Sequence, residues 1–328
     1  MSITPGERIG EFIVESVIGE GGMATIGKGR HAQYGHRVAI KLLLPSFSQS
    51  KEVLTRFERE QRTLARLRSD HTVRFYGAGR HNGCPYMLLE LLEGLDLAEV
   101  LKRKGRFEMR EAVGFVLQVC HALAEAHAQG IVHRDLKPSN FFLVHRDDGS
   151  GCIKVLDFGI SKQLSGRAGE ASEPSLTQAR TVVGSPWYMS PEQMLSSRDV
   201  DAATDTWSLG VTLYEMLTMS IPFAARTTDE VCQRILADEP TPLRQLRPDL
   251  PPAFAAVVMQ CLRRKPRERW LSVADFAQNL AEFGPDHADK ALERIYALLR
   301  PTTFDPGVRQ AIPKKTIVVQ GGDDDDAG

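Results

Sequence analysis

Residues 115–144 read FVLQVCHALAEAHAQGIVHRDLKPSNFFLV. The first half carries apolar residues at helical spacing. Val113, Val116, Leu117, Cys120, Leu123 and Ala124 share one face, and Gly130 supplies a natural stop. The end, FFLV, reads as a short apolar strand. Between the two, His133, Arg134, Asp135, Lys137 and Asn140 crowd an acid, two cations and an amide into eight residues. A solvated loop rarely needs apolar walls on both sides; a catalytic loop does.

Downstream, KVLDFG places Asp157 at the end of another apolar strand, followed by Phe158 and Gly159. Two carboxylates and the Asn140 amide supply the hard oxygens that Mg2+ prefers, alongside substrate phosphates. Lys137 brings positive charge to where phosphate charge must be stabilised. Taken singly, each of these residues reads equally well as a turn former or a surface charge.

Upstream, Phe12 to Leu44 reads as three short strands, FIVESVIGEGG, TIGKGRHA and HRVAIKLLL. The stretch IGEGGMATIGKG (Ile18–Gly29) is glycine-rich, so its backbone N–H groups can approach phosphates unobstructed. It reads as a phosphate-covering hairpin or as a plain one. A dinucleotide-binding turn would need a helix next, and a strand follows instead. In VAIK (Val38–Lys41) a lysine sits inside an apolar strand, where its ammonium either snorkels to solvent or finds a buried partner. Residues 51–68 read as a helix with Phe57, Leu64 and Leu67 on one face. Glu60 shares that face and is a natural partner for Lys41, the alternative being a surface pair with Arg56. VRFYGAGR and PYMLLELL add two strands around an HNGC turn.

After Gly94 the pattern turns mostly helical. Residues 205–218 are apolar nearly all round, as in a buried core helix. Further helices are expected near 229–237, 253–264 and 273–283, and 165–180 reads as a mobile segment. Gly284-Pro285 closes the folded unit in this reading. One more helix is expected over 288–299, with Leu292, Ile295, Tyr296 and Leu299 in register, and then an acidic, disordered tail.

Composition narrows the classes. The chain has 328 residues, 42% hydrophobic and 25% charged, with a net charge of -1, so nothing points to nucleic acid or an anionic membrane surface. Its five scattered cysteines form neither a metal-ligand spacing nor an even disulfide framework. With no signal-peptide pattern and no apolar run of about 20 residues, the expectation is a cytoplasmic protein without a membrane span.

In order and spacing these motifs resemble the eukaryotic-type (Hanks-type) serine/threonine protein kinases, most closely their bacterial members, over roughly residues 8–284. The resemblance implies an α+β, two-lobed fold: a small antiparallel β-rich N-lobe with one helix over about 8–92, and a larger, mainly helical C-lobe over about 93–284. Residues 285–328 would be a helix and tail, serving as docking helix, autoinhibitory tail or linker. The implied activity is ATP- and Mg2+-dependent phosphoryl transfer to Ser or Thr hydroxyls of protein substrates, with transient self-association for autophosphorylation.

It also implies roles. Ile18, Gly19, Glu20, Gly21, Gly22 and Ile26 would cover ATP, with Ala24 standing where the family has glycine. Val38 and Ala39 would wall the adenine. Lys41 would hold phosphates and Glu60 would pair with it. Leu89 would be the gatekeeper, and Glu90 and Leu92 would offer backbone groups to the adenine. Asp135 would take the hydroxyl proton, Lys137 would steady the transferred group, and Asn140 and Asp157 would hold Mg2+. His133, Phe158, Leu64 and Phe75 would stack between the lobes, and Asp205 would brace the loop. The activation segment would end at Ser190-Pro191-Glu192, with Glu192 pairing Arg269. Ser185 would reach the catalytic acid. Thr177 and Thr181, with Ser175 weaker, would take the phosphate that Arg134 binds. Loss of Lys41, Asp135, Asn140 or Asp157 would favour a non-catalytic scaffold; all four are present. A small-molecule phosphotransferase would usually lack the Ser-Pro-Glu-terminated segment.

Overall fold

The computed structural model describes residues 3–146, 148–158, 186–195 and 200–299. The small lobe is a six-stranded antiparallel sheet in the order β1-β2-β3-β4-β6-β5. Its strands are β1 (Arg8–Ile9), β2 (Phe12–Glu20), β3 (Ala24–His31), β4 (Arg37–Leu43), β5 (Phe75–His81) and β6 (Cys84–Leu89). Strand alternation splits β4 between two cores. Val38, Ile40 and Leu42 pack upward with Ile9, Phe12, Val14 and Tyr86, whereas Ala39 and Leu43 face down onto the main core. The β5–β6 turn needs two residues with positive φ, and Asn82 and Gly83 supply 49° and 81°.

Helix α1 (Lys51–Arg66) starts at Ser50, whose side chain accepts from Val53 N, and buries Phe57, Thr63 and Leu64 beneath the sheet. It ends two residues before the expected limit. Leu67 is buried but extended (ψ 140°), because Glu125 of the large lobe accepts from both Arg68 N and Ser69 N at 2.7 and 2.8 Å.

The large lobe opens with β7 (Gly94–Asp96), α2 (Leu97–Lys104) and α3 (Met109–Ala128). Strands β8 (Phe141–His145) and β9 (Gly151–Val155) complete a three-stranded sheet, β7-β8-β9. Then come α4 (Pro191–Leu195), α5 (Ala202–Thr218), α6 (Thr228–Ala237), α7 (Leu243–Leu246), α8 (Pro252–Cys261), α9 (Val273–Ala281) and α10 (Ala288–Leu299). α5 is the buried axis: Trp207, Leu209, Val211, Leu213, Tyr214, Met216 and Leu217 are all inaccessible. It begins earlier than the apolar pattern, since Asp201 caps Ala203 N, so Asp205 lies inside its first turn.

α8 and α9 stop short of their expected ends: Leu262 leaves the helical backbone at ψ 15°, whereas past Ala281 the chain keeps helical dihedrals at Glu282 but tightens to three-residue hydrogen bonds, Phe283 N to Leu280 O and Gly284 N to Ala281 O. The packed body continues beyond Gly284-Pro285. α10 lies on α3 and α9, with Ala288 and Ile295 buried and Tyr296 Oη donating to Gln278.

Candidate active site

The loop from His133 to Asn140 hangs from one carboxylate. Asp205, fully buried, accepts from His133 N at 2.9 Å, Arg134 N at 2.8 Å and His127 Nε2 at 2.7 Å. Burial works against this charge, yet the His127 bond and the neighbouring donors outweigh it and hold the carboxyl below its ordinary range. Arg134 is thereby kept in the left-handed region, at φ 67°.

His133 is buried and, by that burial, held neutral below its usual pKa. Its Nε2–H donates to Leu156 O at 3.0 Å, and Nδ1 accepts from Asp135 N at 3.3 Å, which fixes the tautomer. The ring lies 4.8 Å from that of Phe158, while Leu64 and Phe75 belong to the same core.

Asp135 Oδ2 receives Lys137 Nζ and Asn140 Nδ2, each at 3.2 Å. Asn140 Nδ2 also donates to Asp135 O at 2.6 Å, which leaves the amide oxygen as the group it can offer. Leu156 N donates to Asn140 O at 2.9 Å, so Asn140 and Asp157 are tied through adjacent backbone. Asp157 sits at φ 43° with its side chain exposed.

Lys41 joins the lobes. Its Nζ donates to Glu60 Oε1 at 2.6 Å and to Asp157 Oδ1 at 2.7 Å. Burial disfavours the ammonium, but Asp157 and Glu60 together raise its pKa. Lys41 draws the Asp157 carboxyl down, while burial pushes Glu60 up. Arg56, the alternative partner for Glu60, pairs with Glu52.

On the nucleotide side, Ile18, Gly19 and Glu20 end β2, Gly21 and Gly22 form the exposed turn, and Ile26 lies across from Lys41 in β3. Ala24 starts β3 and is buried without a positive φ, so its methyl imposes no backbone strain. Val38 is a correction. It points into the upper core, on the opposite face of β4 from Lys41, so it cannot floor the cleft; Ala39, paired with Leu89, faces it. Glu90 spends its N–H on Arg74 O and its carboxylate on Lys154, leaving its carbonyl to offer; Leu92 follows, half-buried.

Arg269 donates to both Glu192 oxygens, at 2.7 and 2.8 Å, and stacks over Trp207. Burial opposes the Glu192 charge, but Arg269 prevails and keeps the carboxyl low. Gln193 Nε2 donates to Arg134 O at 2.9 Å, stitching this segment to the loop. Sequence reasoning missed Gln193, Glu125 and His127; each is a polar residue whose partner is distant in the chain. Gly159, the 165–180 stretch, Ser175, Thr177, Thr181 and Ser185 lie outside the described residues, as does everything beyond Leu299.

This is a two-lobed protein kinase fold with its polar groups gathered between the lobes. Residues 12–280 match the protein kinase domain, and the chain belongs to that family. It is 37% identical over 279 residues to the serine/threonine-protein kinase Pkn1 of Myxococcus xanthus, covering 84% of this chain and 38% of that protein. It is 35% identical over 277 residues to PknA of Mycobacterium tuberculosis, covering 83% and 61%. The chain therefore spans less than two thirds of these relatives' lengths. The solved PknI kinase domain of M. tuberculosis shares the fold, with TM-score 0.66 and 24% identity over 86% of this chain and 99% of that one.

The family implies ATP as substrate and a divalent metal. The Asp157 carboxylate and Asn140 amide oxygen fit such a cation, which completes its shell with phosphate and water. Among the described residues, no helix is long and apolar enough to cross a membrane.

Proposed function

We propose that the chain transfers the γ-phosphoryl group of ATP to Ser or Thr hydroxyls of protein substrates in bacterial-type signalling. The observation that carries this reading is the convergence of Lys41 and Glu60 from the small lobe on Asp157 of the large lobe, which is tied through Leu156 to Asn140 beside Asp135. Asp135 accepts the proton of the attacking hydroxyl and orients it. Lys137, already beside that carboxylate, steadies charge on the transferred group. Lys41 holds the α- and β-phosphates, and Glu60 fixes its direction. Mg2+ is the cation held by Asn140 and Asp157, neutralising phosphate charge when bound.

Ala39 and Leu89 wall the adenine, with backbone groups of Glu90 and Leu92 reading its edge. The glycine turn of Gly19, Gly21 and Gly22 covers the phosphates. The kinase unit spans about 8–284, with lobes of about 8–92 and 93–284. The protein works in the cytoplasm and associates transiently with itself, placing phosphate on Thr177 or Thr181 for Arg134 to bind.

The test is phosphosite mass spectrometry after incubation with Mg-ATP, beside Asp135→Asn. Phosphate on Thr177 or Thr181 only in the unmutated chain supports the reading. Nucleotide binding with no transfer to itself or to a generic protein acceptor overturns it.

A further inference from the structure

α1 turns a row of cations to solvent. Lys51, Thr55, Arg59, Arg62 and Arg66 follow one another by four, four, three and four residues, which places them on one line of the helix. All five are exposed, and Arg68 is exposed just beyond them. Arg62 and Arg66 donate to the backbone carbonyls of Glu58 and Gln129, at 3.2 and 3.4 Å. Among the described residues no carboxylate is ion-paired with Arg59, Arg62, Arg66 or Arg68; Glu52 and Glu58 flank the row, Glu52 engaged by Arg56. Like charges at these spacings repel and weaken a helix. Yet this helix carries Glu60 on its other side. An anionic partner on the row would remove the repulsion.

Such an anion lies on the same chain. Asp323–Asp326 are four consecutive carboxylates, and the nearest preceding cation, Lys315, is eight residues earlier. α10 delivers the chain toward α1. Its start lies by the first turns of α3, where Arg110 pairs with Asp286 and Pro285 abuts Gly114. Further along, burial and then the Arg294 charge hold the His121 imidazole below its ordinary value, so Arg294 stands near His121. The two helices therefore run in the same direction. The end of α3 that they approach is the end bonded to α1, through Glu125 with Arg68 N and Gln129 O with Arg66.

Asp323 follows Leu299 by 24 residues. A coil of that length spans about 27 Å root mean square. The row from Arg59 to Arg66 is about 10 Å long at the helical rise, and its near end, Arg66, is bonded to Gln129 O at the end of α3 that α10 approaches.

We propose that Asp323–Asp326 docks on the Arg59–Arg62–Arg66 row of α1 within the same molecule, steadying the helix that presents Glu60. Tethering makes the encounter intramolecular, so individually weak surface pairs act together. The contact is independent of the phosphoryl transfer proposed above, and its test reads a distance.

All five native cysteines are buried, so spin labels at Thr55→Cys and Ala327→Cys react selectively in the full chain. Pulsed dipolar spectroscopy at low salt should give a narrow population below about 30 Å, broadening at high salt. Neutralising all four aspartates to Asn, or Arg59, Arg62 and Arg66 to Gln, should abolish it. Exchanging the charges, Arg→Glu on α1 with Asp→Lys on the run, should restore it. A broad distribution in the unmutated chain, or a narrow one that survives neutralisation, overturns the proposal. So does a short distance that vanishes when labelled protein is diluted into unlabelled, since the occupant would then be a second copy.

Discussion

Two carboxylate networks hold this molecule's cleft, and they are built on opposite principles. Asp205 sits in the first turn of a largely buried helix, and all three of its donors come from the large lobe. Lys41 instead gathers Glu60 from α1 and Asp157 from the loop after β9, so its contacts cross from one lobe to the other. The first network cannot be rearranged without unfolding its surroundings. The second is assembled only while α1, β4 and the Asp157 loop keep their relative positions. One brace thus holds the His133–Asn140 loop from within the large lobe, and the ion triad exists only where the two lobes meet.

The sharpest way to break this contrast is Lys41→Met. Phosphoryl transfer should fall by about 10²–10³-fold, measured by steady-state kinetics, while the thermal midpoint changes little. A large loss of midpoint would show that the triad is structural as well. Asp205→Asn should do the reverse in kind. It leaves buried donors facing an amide and should cost about 3 kcal/mol in urea unfolding, with activity falling alongside.

Next comes acid stability. Burial holds His71 down to about 4, with its ring bonded to Ile153 O. Between that value and the ordinary 6.5 the unfolded chain binds the extra proton. Stability should therefore be full above that window and fall as pH drops through it, by up to about 3 kcal/mol. His71→Gln should flatten the slope; an unchanged slope would assign it elsewhere. The smallest effect belongs to Ala24→Gly. Because Ala24 occupies ordinary strand backbone, the ATP KM should move by less than about twofold.

How much of this was legible depended on the kind of signal. Helices α1, α3 and α10 showed in the sequence because burial repeats with the helical period, and α5 because it is apolar nearly all round. The meeting of Lys41 with Glu60 was readable for the same reason: an acid on an apolar face needs a partner. Val38 was misplaced although the rule that corrects it, strand alternation from Lys41, was available from the sequence. Gln193 and Glu125 were not readable at all. They are solitary polar residues whose partners lie 59 and 57 positions away, and no periodicity announces such a bond. α1 ended early for that reason: Glu125 captures the backbone just past it.

That capture has a mechanical corollary. With both carboxylate oxygens of Glu125 gripping Arg68 N and Ser69 N, the turn after α1 travels with the large lobe although it follows a small-lobe helix. His71 O and Val73 N, bonded to Val155, carry the same anchorage further along the chain. Were the cleft to open, this anchored segment would be its pivot, with Leu67 beside it shifting least and the glycine turn, borne on the free part of the small lobe, shifting more. A small tilt of α1 would then be a larger displacement over the nucleotide.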